Sequence, residues 1–491
     1  SAGKRGYPVD DILDLSWGDE VIPNSVLGIH NQSKRGGYVA RLNYDYADKY
    51  LVEISGRIDG STLLPSKNRW CVFPGVSLGW RISEESFIKD NVDLNFIDNL
   101  KLRASFGQLG SQTGLGYGIS YMSLASLSDK PNVALGSTLK RYLNIGSIPN
   151  EDLKWQYTNT YNIGFEAMFW KGLLGVEFDM FYSLTKRKIE AQSGSYPPSL
   201  GGYYSSLVNS GEHENKGFEL VLTHQNKIGE VDYSIKGNLS WARNKILKIN
   251  ETTNVPNAKR LVGKPMGQYF GFVSDGLFQS EEEIANSAVF GPTLPGDIKL
   301  VDINGDGKIT MEQDMVPIGR SNIPEMTYGL NLSANWKGFD FNAFFQGSAL
   351  FDVYLCGSYP GAGWVDDTFY TRPFYADGNA PYYLVEGAWT PENRNAKYPR
   401  LSTEARLNGG KYSDWWVKNG TYIRLKNAQI GYTLPDELTR KVGIEKVRAY
   451  VSGSNLFTLT GVKYFDPEMP NVNQGYYPQQ RVYEFGLNIT F

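Results

Sequence analysis

The sequence predicts an all-β fold, a transmembrane antiparallel β-barrel portion with long external loops. Segments in which apolar and polar side chains alternate, as barrel strands of about 10 residues do, recur along the 491-residue chain. The connections between these segments alternate between very short turns and very long loops. No run of about 18 apolar residues occurs, which excludes a membrane-spanning helix, whereas a barrel strand needs only alternation.

The alternation is plainest at the C-terminus, between Arg481 and Phe491. Successive side chains of a strand point to opposite faces, so this stretch has one apolar and one polar face. The apolar set is Tyr483, Phe485, Leu487, Ile489 and Phe491, and the polar set is Glu484, Gly486, Asn488 and Thr490. One such strand is equally typical of a soluble sheet, and the repetition of the pattern favours a larger structure.

The first two predicted strands form a hairpin. Tyr38–Tyr46 and Tyr50–Gly60 flank the tight turn Ala47-Asp48-Lys49. Further predicted strands are Val72–Ile82, Leu100–Leu109, Tyr157–Phe169, Leu173–Thr185, and segments that start near Phe218, Tyr233, Tyr328, Phe339 and Tyr422. In the strand after Gly172, Leu174, Val176, Phe178, Met180, Tyr182 and Leu184 share one face. In the strand from Tyr422 the apolar phase slips near Asn427, which predicts a β-bulge.

Alternation alone does not separate a soluble sandwich from a membrane barrel, because both have one apolar and one polar strand face. The connections do separate them. Long loops on one side and short turns on the other are typical of a barrel with external loops and periplasmic turns. The predicted external loops are 61–71, 110–156, 186–216, 243–324, 351–419 and 457–480. Trp170, Trp241 and Trp336 lie near strand ends, where interfacial aromatic girdles are expected.

Composition excludes several function classes. Lys plus Arg is 49 against 52 for Asp plus Glu, so no basic excess favours nucleic acid. The three histidines, His30, His213 and His224, have no metal-binding spacing, and no nucleophile elbow is present, so no enzyme is expected. The first residues carry no apolar signal segment, which predicts either a cytosolic protein or part of a longer one.

Several stretches along the chain together form a family pattern. They are Tyr50-Leu51-Val52, Arg57-Ile58-Asp59-Gly60-Ser61, Phe73-Pro74-Gly75-Val76-Ser77-Leu78-Gly79-Trp80-Arg81-Ile82, Leu100-Lys101-Leu102-Arg103-Ala104-Ser105-Phe106-Gly107, Asn215-Lys216-Gly217-Phe218-Glu219-Leu220, Gly296-Asp297, Asp302-Ile303-Asn304-Gly305-Asp306-Gly307, Tyr422-Ile423-Arg424-Leu425-Lys426-Asn427 and the terminal Phe491. In this order they resemble SusC/RagA-type TonB-dependent outer-membrane transporters, and the resemblance spans nearly the whole chain. It implies the C-terminal barrel portion of such a transporter, roughly 13 of about 22 strands, without the plug and the first strands.

The resemblance also implies topology and partners. Counted back from a periplasmic C-terminus, residues 1–36 fall in an external loop, and residues 37–491 form the barrel portion. The chain is then expected to be one product of a nick or a split polypeptide, with the N-terminal plug and barrel part as a separate partner chain. A SusD-like surface lipoprotein, the TonB system, membrane lipid or lipopolysaccharide, and a dimer of transporter–lipoprotein pairs are the other implied partners.

The implied function is energised import of nutrient oligomers, oligosaccharides or peptides, across the outer membrane of a Gram-negative bacterium. Two alternatives remain open. One is a passive barrel or adhesin without a plug, and the other is a soluble glycan-binding β-sandwich.

Two groups of loop residues are candidate sites. Asp302-Ile303-Asn304-Gly305-Asp306-Gly307-Lys308-Ile309 matches the first eight positions of a calcium-binding loop, although Gln313 stands at position twelve and Asp314 one residue later. The candidate Ca²⁺ ligands are Asp302, Asn304, Asp306, Lys308 and Asp314, and the alternative is an ordinary Asp/Asn/Gly turn. Aromatic rings suit stacking on sugars or gripping peptides. The candidate substrate-binding residues are Trp364, Tyr370, Phe374, Tyr375, Trp389, Trp415 and Trp416, and the alternative is that these rings pack the loop itself.

Overall fold

The computed structural model describes most of the chain. The described ranges are 33–115, 150–191, 207–251, 255–355, 382–401, 413–468 and 479–491, with short segments at 4–5, 20–21, 125–127, 133–136, 138–140 and 143–145.

Over these residues one antiparallel sheet of 13 strands dominates the fold, and each strand pairs with its neighbour in the sequence. In chain order the strands are β1 Arg35–Tyr46, β2 Tyr50–Ser61, β3 Trp70–Arg81, β4 Ile97–Ser111, β5 Gln156–Phe169, β6 Leu174–Ala191, β7 Leu207–Ile228, β8 Val231–Lys248, β9 Met326–Trp336, β10 Phe339–Ala349, β11 Tyr422–Thr433, β12 Lys446–Thr460 and β13 Val482–Thr490. The all-β, antiparallel prediction is confirmed.

The longest connections lie at one end of the sheet, and the tight turns lie at the other end, together with the connections 82–96 and 434–445. At one end, here called the turn end, Ala47 and Asp48 join β1 to β2 with φ values of 56° and 58°. Two consecutive left-handed residues form the turn whose twist matches a β-hairpin. Lys337 and Gly338, with φ of 45° and 84°, join β9 to β10 at the same end. The other end, here called the loop end, carries the long connections, as the sequence predicts.

Strands β6 and β7 run further than the sequence predicts, into the predicted external loop 186–216. Ile189 pairs with Asn209 and Glu190 with Val208, after a register shift beyond Thr185. These residues lack clean alternation, so their strand state depends on pairing with each other.

The predicted slip near Asn427 is confirmed as a bulge, because Leu425 and Asn427 have partners in both neighbouring strands and Lys426 has none.

The apolar side chains form continuous rows across neighbouring strands. One row passes through register partners Phe341, Ile430, Val451 and Phe485 of β10 to β13. These side chains are exposed, Phe485 by 82% and Ile430 by 55%. The other sheets of the described residues have two strands each, so no second large sheet covers this face there. That arrangement argues against the soluble sandwich, which needs such a sheet.

The opposite face carries polar and charged side chains that contact one another between strands. Arg103 of β4 donates hydrogen bonds to Glu166 of β5 and to Asp179 of β6, the latter from Nε at 3.1 Å. The Thr160 and Ser183 hydroxyls meet at 3.0 Å. Because paired residues of adjacent strands point to the same side, one polar wall runs along the sheet.

Short elements occupy the connections. The α-helices are Ser86–Lys89, Glu281–Ala285, Tyr382–Glu386 and Asp436–Thr439, and the 3-10 helices are Ser66–Asn68, Ile82–Glu84, Val92–Leu94, Asn257–Lys259, Asp414–Trp416 and Arg440–Val442. The paired short strands are Lys4–Arg5 with Glu20–Val21, Ala125–Leu127 with Leu143–Ile145, Val133–Leu135 with Thr138–Lys140, Gln268–Gly271 with Val316–Ser321, Ser274–Leu277 with Ile298–Leu300, and Asp352–Tyr354 with Val417–Asn419. Within the described ranges, none of the helices has the length and apolar character to cross a bilayer.

The facing of β6 leads to a direct prediction. Phe178 lies on the apolar face, with its ring 5.8 Å from that of Phe165 and 6.1 Å from that of Phe218. If this face contacts lipid, Phe178→Arg should destabilise the protein by about 2–4 kcal/mol, the cost of a charge near the bilayer midplane. Asp179→Arg puts the same charge on the polar face but also removes a carboxylate that pairs with Arg103, so stability alone does not compare the two faces.

The facing is measured with fluorophores on single cysteines at 176, 178 and 180, compared with 177, 179 and 181, in a background of Cys71→Ser and Cys356→Ser. Lipid-soluble quenchers are expected to reach the even-numbered set only. Equal quenching of the two sets would show that the apolar face does not contact lipid.

Candidate functional site

Three connections at the loop end fold into one unit, here called the loop unit. It consists of the described parts of 249–325, 350–421 and 461–481. Their apolar side chains share a core that is separate from the large sheet's exposed apolar face. The buried members are Phe272, Leu277, Ile298, Leu300, Ile309, Phe351, Val353, Leu355, Leu384, Trp389, Trp416, Tyr422 and Val462.

Polar contacts connect the first two of these connections. The Asp414 carboxylate accepts hydrogen bonds from the Ser274 backbone N–H at 2.9 Å and from its hydroxyl at 2.5 Å. Gly296, with φ of 89°, packs so closely on Trp389 that an added Cβ would lie 2.3 Å from the indole. Only glycine suits both that backbone and that approach. The two connections therefore fold together.

The predicted substrate-binding aromatics that fall within the described ranges lie in this core. Trp416 is 1% exposed and Trp389 is 6% exposed, and the indole Nε1 of Trp389 donates to Gln279 Oε1 at 3.2 Å. Trp415 packs against the same cluster. Trp364, Tyr370, Phe374 and Tyr375 lie outside the described residues. The three described rings thus support the loop unit, and their contact with substrate stays a prediction.

The candidate calcium loop is a tight, self-bonded turn. The two Asp302 carboxylate oxygens accept the backbone N–H groups of Gly305 and Gly307, each at 2.7 Å. The Asn304 amide lies between Asp306 Oδ2 at 2.9 Å and Gln313 Oε1 at 3.0 Å. The Asp306 and Gln313 oxygens thus share one donor, the Asn304 Nδ2, and the Asp302 oxygens bind the backbone of their own turn.

The remaining expected ligands fit less well. Asp314, fully buried, accepts the backbone N–H groups of Ile303 at 3.0 Å and Thr310 at 2.7 Å. Lys308 donates its own backbone N–H to Asp306 Oδ1 at 2.9 Å. Over the described parts of the chain, no three His, Cys, Asp or Glu side chains are grouped closely enough to hold a metal ion. Asp302, Asn304, Asp306 and Gln313 are therefore the oxygen donors to which a cation would bind, and calcium binding stays a prediction.

A buried arginine joins the third connection to the sheet. Arg424 of β11, 2% exposed, lies on the polar face and donates to Asp466 Oδ1 at 2.6 Å and to Glu468 Oε2 at 2.7 Å. Its remaining donors reach Gln479 Oε1 at 2.5 Å and Thr458 Oγ1 at 2.8 Å. This group is called the Arg424 cluster. It folds the connection after β12 inward, against the polar wall.

Glu468 has a second cation beside it. Lys426, the bulged residue of β11, donates to Glu468 Oε2 at 3.0 Å. Burial alone would raise the pKa of Glu468, but hydrogen bonds from Lys426 and Tyr422 and the charge of Arg424 hold that pKa below its usual 4.5. The carboxylate is therefore ionised at neutral pH and completes the Arg424 cluster.

The sequence does not predict the Arg424 cluster. Arg424 stands in a stretch that resembles the family, but its acidic partners lie more than 40 residues away in a loop without periodicity. One signal was available. An arginine between the apolar Ile423 and Leu425 must point to the polar face, where a buried cation needs carboxylate partners.

The sequence of this chain is similar to those of known proteins. Residues 7–456 match the family described as "TonB dependent receptor-like, beta-barrel". TonB-dependent receptor P26 of Formosa agariphila is 29% identical over 92% of this chain and 46% of its own length. TonB-dependent receptor SusC of Bacteroides thetaiotaomicron is 25% identical over 92% of this chain and 43% of its own length.

A solved structure described as the RagAB peptide transporter has the same fold, with a TM-score of 0.74 at 22% identity. The match covers 99% of this chain and 51% of the chain in that structure. The chain thus spans about half the length of the relatives it matches.

The family match covers most of the chain, and the meander of antiparallel strands agrees with it. Proteins of this family are transporters and not enzymes, as expected from the sequence. Its members lie in the outer membrane of Gram-negative bacteria, so the exposed apolar face is the lipid-facing surface and the polar wall faces the lumen. The chain therefore belongs to the TonB-dependent receptor β-barrel family, of the SusC type.

Proposed function

We propose that this chain is the barrel portion of a TonB-energised importer of nutrient oligomers, oligosaccharides or peptides. The observation that carries the proposal is the loop unit. Three connections with a common buried core stand at the loop end of the sheet, beside the polar wall. Such an arrangement suits the capture of a solute outside the membrane and its passage along polar side chains. A relative named SusC and a similar fold described as a peptide transporter support this function.

The proposed partners follow from the same relatives. A surface lipoprotein of the SusD type would cover the loop end, and the TonB system would supply energy from the periplasm. The plug and the remaining strands would come from the N-terminal portion of the transporter. A dimer of transporter–lipoprotein pairs is the proposed assembly.

Uptake in the native bacterium tests the proposal. Cells that lack the coding gene are compared with wild-type cells and with cells that lack TonB, using fluorescent oligosaccharides and fluorescent oligopeptides. Both deletions are expected to abolish uptake of the same cargo, because capture and energy are needed together. Uptake that depends on this gene but not on TonB would favour the passive barrel, and unchanged uptake in both strains would contradict import.

We further propose that Ca²⁺ binds the loop that begins at Asp302. Asp302→Asn with Asp306→Asn removes two carboxylate charges and keeps side chains of similar size. Wild-type protein is expected to resist proteolysis of this loop in Ca²⁺ and to lose that resistance in chelator, because the cation would bind the carboxylates of Asp302 and Asp306 together.

The double variant is expected to be equally sensitive in Ca²⁺ and in chelator. Glu312→Gln, at an acidic position of the same loop outside the candidate ligand set, is the matched control. A wild-type loop with the same cleavage rate in Ca²⁺ and in chelator would contradict calcium binding.

A further inference from the structure

Tyr464 has an unusual backbone and an unusual position. It follows β12 in the third connection of the loop unit, with φ of 69°. The residue is 64% exposed, although its side chain is a large aromatic ring. One face of its ring stacks on Tyr383, with the ring centroids 3.8 Å apart and the planes 5° apart. Because that stack covers one face, the exposure belongs to the other.

The residues around Tyr464 are fixed. Val462, two residues earlier, is 3% exposed, and Phe465 packs against the core of the loop unit. Asp466 accepts the hydrogen bond from Arg424. Tyr464 is thus an exposed ring on a segment whose neighbours on both sides are anchored.

The Tyr383 ring continues inward as a column of aromatics. The centroids of Tyr383 and Tyr398 are 5.9 Å apart. Tyr398 then stacks on the buried Trp416 at 6.3 Å, with 14° between the planes. The column Tyr464–Tyr383–Tyr398–Trp416 therefore leads from solvent into the core, and it holds the outermost ring in a fixed orientation.

A bulky side chain is disfavoured at this backbone conformation. Glycine or asparagine adopts a left-handed φ at lower cost than tyrosine does. Strain of this kind that the surrounding structure maintains is typical of binding sites. The stack on Tyr383 occupies only the inner face of the ring, whereas the outer face contacts solvent. The backbone and the exposure together indicate that the ring is kept for a ligand.

We propose that the open face of Tyr464 is a stacking platform for a sugar ring of an oligosaccharide. This inference rests on the proposed import function and narrows its cargo. A pyranose offers a flat C–H face that covers an aromatic ring, and the phenol hydroxyl at the ring edge can bond to sugar hydroxyls. A peptide is instead recognised through a sheet edge, a groove or a charged pocket, and a single flat ring provides none of these.

The test measures binding to the purified full transporter in detergent, which needs no TonB energy. The probes are fluorescent hexasaccharides of α-glucan, β-glucan, xylan and mannan, and a fluorescent pool of random pentapeptides. Tyr464→Gly removes the ring and relieves the backbone, whereas Tyr464→Trp keeps a stacking surface. Tyr382→Ala removes a tyrosine that is 76% exposed and adjacent to Tyr383 in sequence, and it is the matched control.

Wild-type protein is expected to bind at least one hexasaccharide. Tyr464→Gly should weaken that binding about tenfold or more, and Tyr464→Trp and Tyr382→Ala should keep it within about threefold. The unfolding temperature of Tyr464→Gly should stay close to that of wild type, since the lost stack on Tyr383 and the relieved backbone have opposite effects on stability.

Three results would overturn the platform: equal saccharide binding by wild type and Tyr464→Gly, no saccharide binding by wild type, or binding of the peptide pool alone. Gene-dependent import of peptides, together with absent saccharide binding, would refute the platform and leave the import function standing. Saccharide binding that needs Tyr464, with no uptake by cells, would refute import and leave the platform standing.

Discussion

Produced by itself, the 491-residue chain is expected not to form a stable barrel in detergent or lipid. Strands β1 and β13 are the two edges of the described sheet, and they do not pair with each other. All 12 residues of β1 are exposed. Unpaired backbone N–H and C=O groups in hydrocarbon cost several kcal/mol each, so two open edges prevent stable insertion.

Co-production with the N-terminal portion of the transporter should rescue the chain. The measurement is heat-modifiable migration in a gel, together with protease resistance of the membrane fraction. The chain alone is expected to be degraded or to aggregate, and the pair to co-purify and resist protease. A stable, detergent-soluble monomer of the 55.0 kDa chain alone would contradict this.

Arg424→Met is expected to release the third connection of the loop unit. The side chain of Arg424 is 3% exposed, and its loss leaves the carboxylates of Asp466 and Glu468, 11% and 15% exposed, without the cation that they share. Breaking a buried ion pair by removing one partner costs about 3–5 kcal/mol. Hydrogen exchange of residues 462–468 should therefore accelerate by a factor that corresponds to that free energy, without unfolding of the strands.

Arg448→Met is the matched control. Two guanidinium nitrogens of Arg448 also donate to one carboxylate, that of Asp340, at 2.8 and 2.5 Å, but the Arg448 and Asp340 side chains are 19% and 30% exposed. Water solvates the remaining carboxylate there, so a smaller effect is expected, and it should be confined to the turn end. Equal exchange of residues 462–468 in wild type and Arg424→Met would show that the Arg424 cluster does not hold this connection.

Acid should weaken the same contact. The pKa of Glu468 is lowered in the folded protein, so its contribution to stability is complete above its ordinary pKa of 4.5. The contribution declines as pH falls below that value and is lost once pH passes the lowered pKa. Exchange of residues 462–468 should therefore be constant between about pH 5 and 8, after correction for intrinsic exchange, and faster in stronger acid.

The sequence alone determined most of the strands, the facing of their side chains and the tight turns, whereas the strand ends of β6 and β7 within 186–216 depended on pairing with each other. The side-chain period of a strand is two, so alternation from Leu174 to Leu184 assigns each residue to a face without knowledge of its neighbours. In the strand from Tyr422, a slip in the alternation also located the bulge beside Asn427. Ala47-Asp48 and Lys337-Gly338 are turn sequences that join adjacent strands, and that information is local. The family match over residues 7–456 agrees with these assignments.

Only the tertiary structure decided which loop residues meet. Trp389 and Trp416 read as exposed candidates for ligand contact, yet both are buried, because segments far apart in sequence supply the rest of their core. Arg424 donates to Glu468, which lies 44 residues later in the sequence. Tyr464 has a left-handed φ that the neighbouring residues do not predict. Loops have no periodicity that links a residue type to a direction. Their side chains are placed by long-range packing and ion pairing, which a local pattern does not contain.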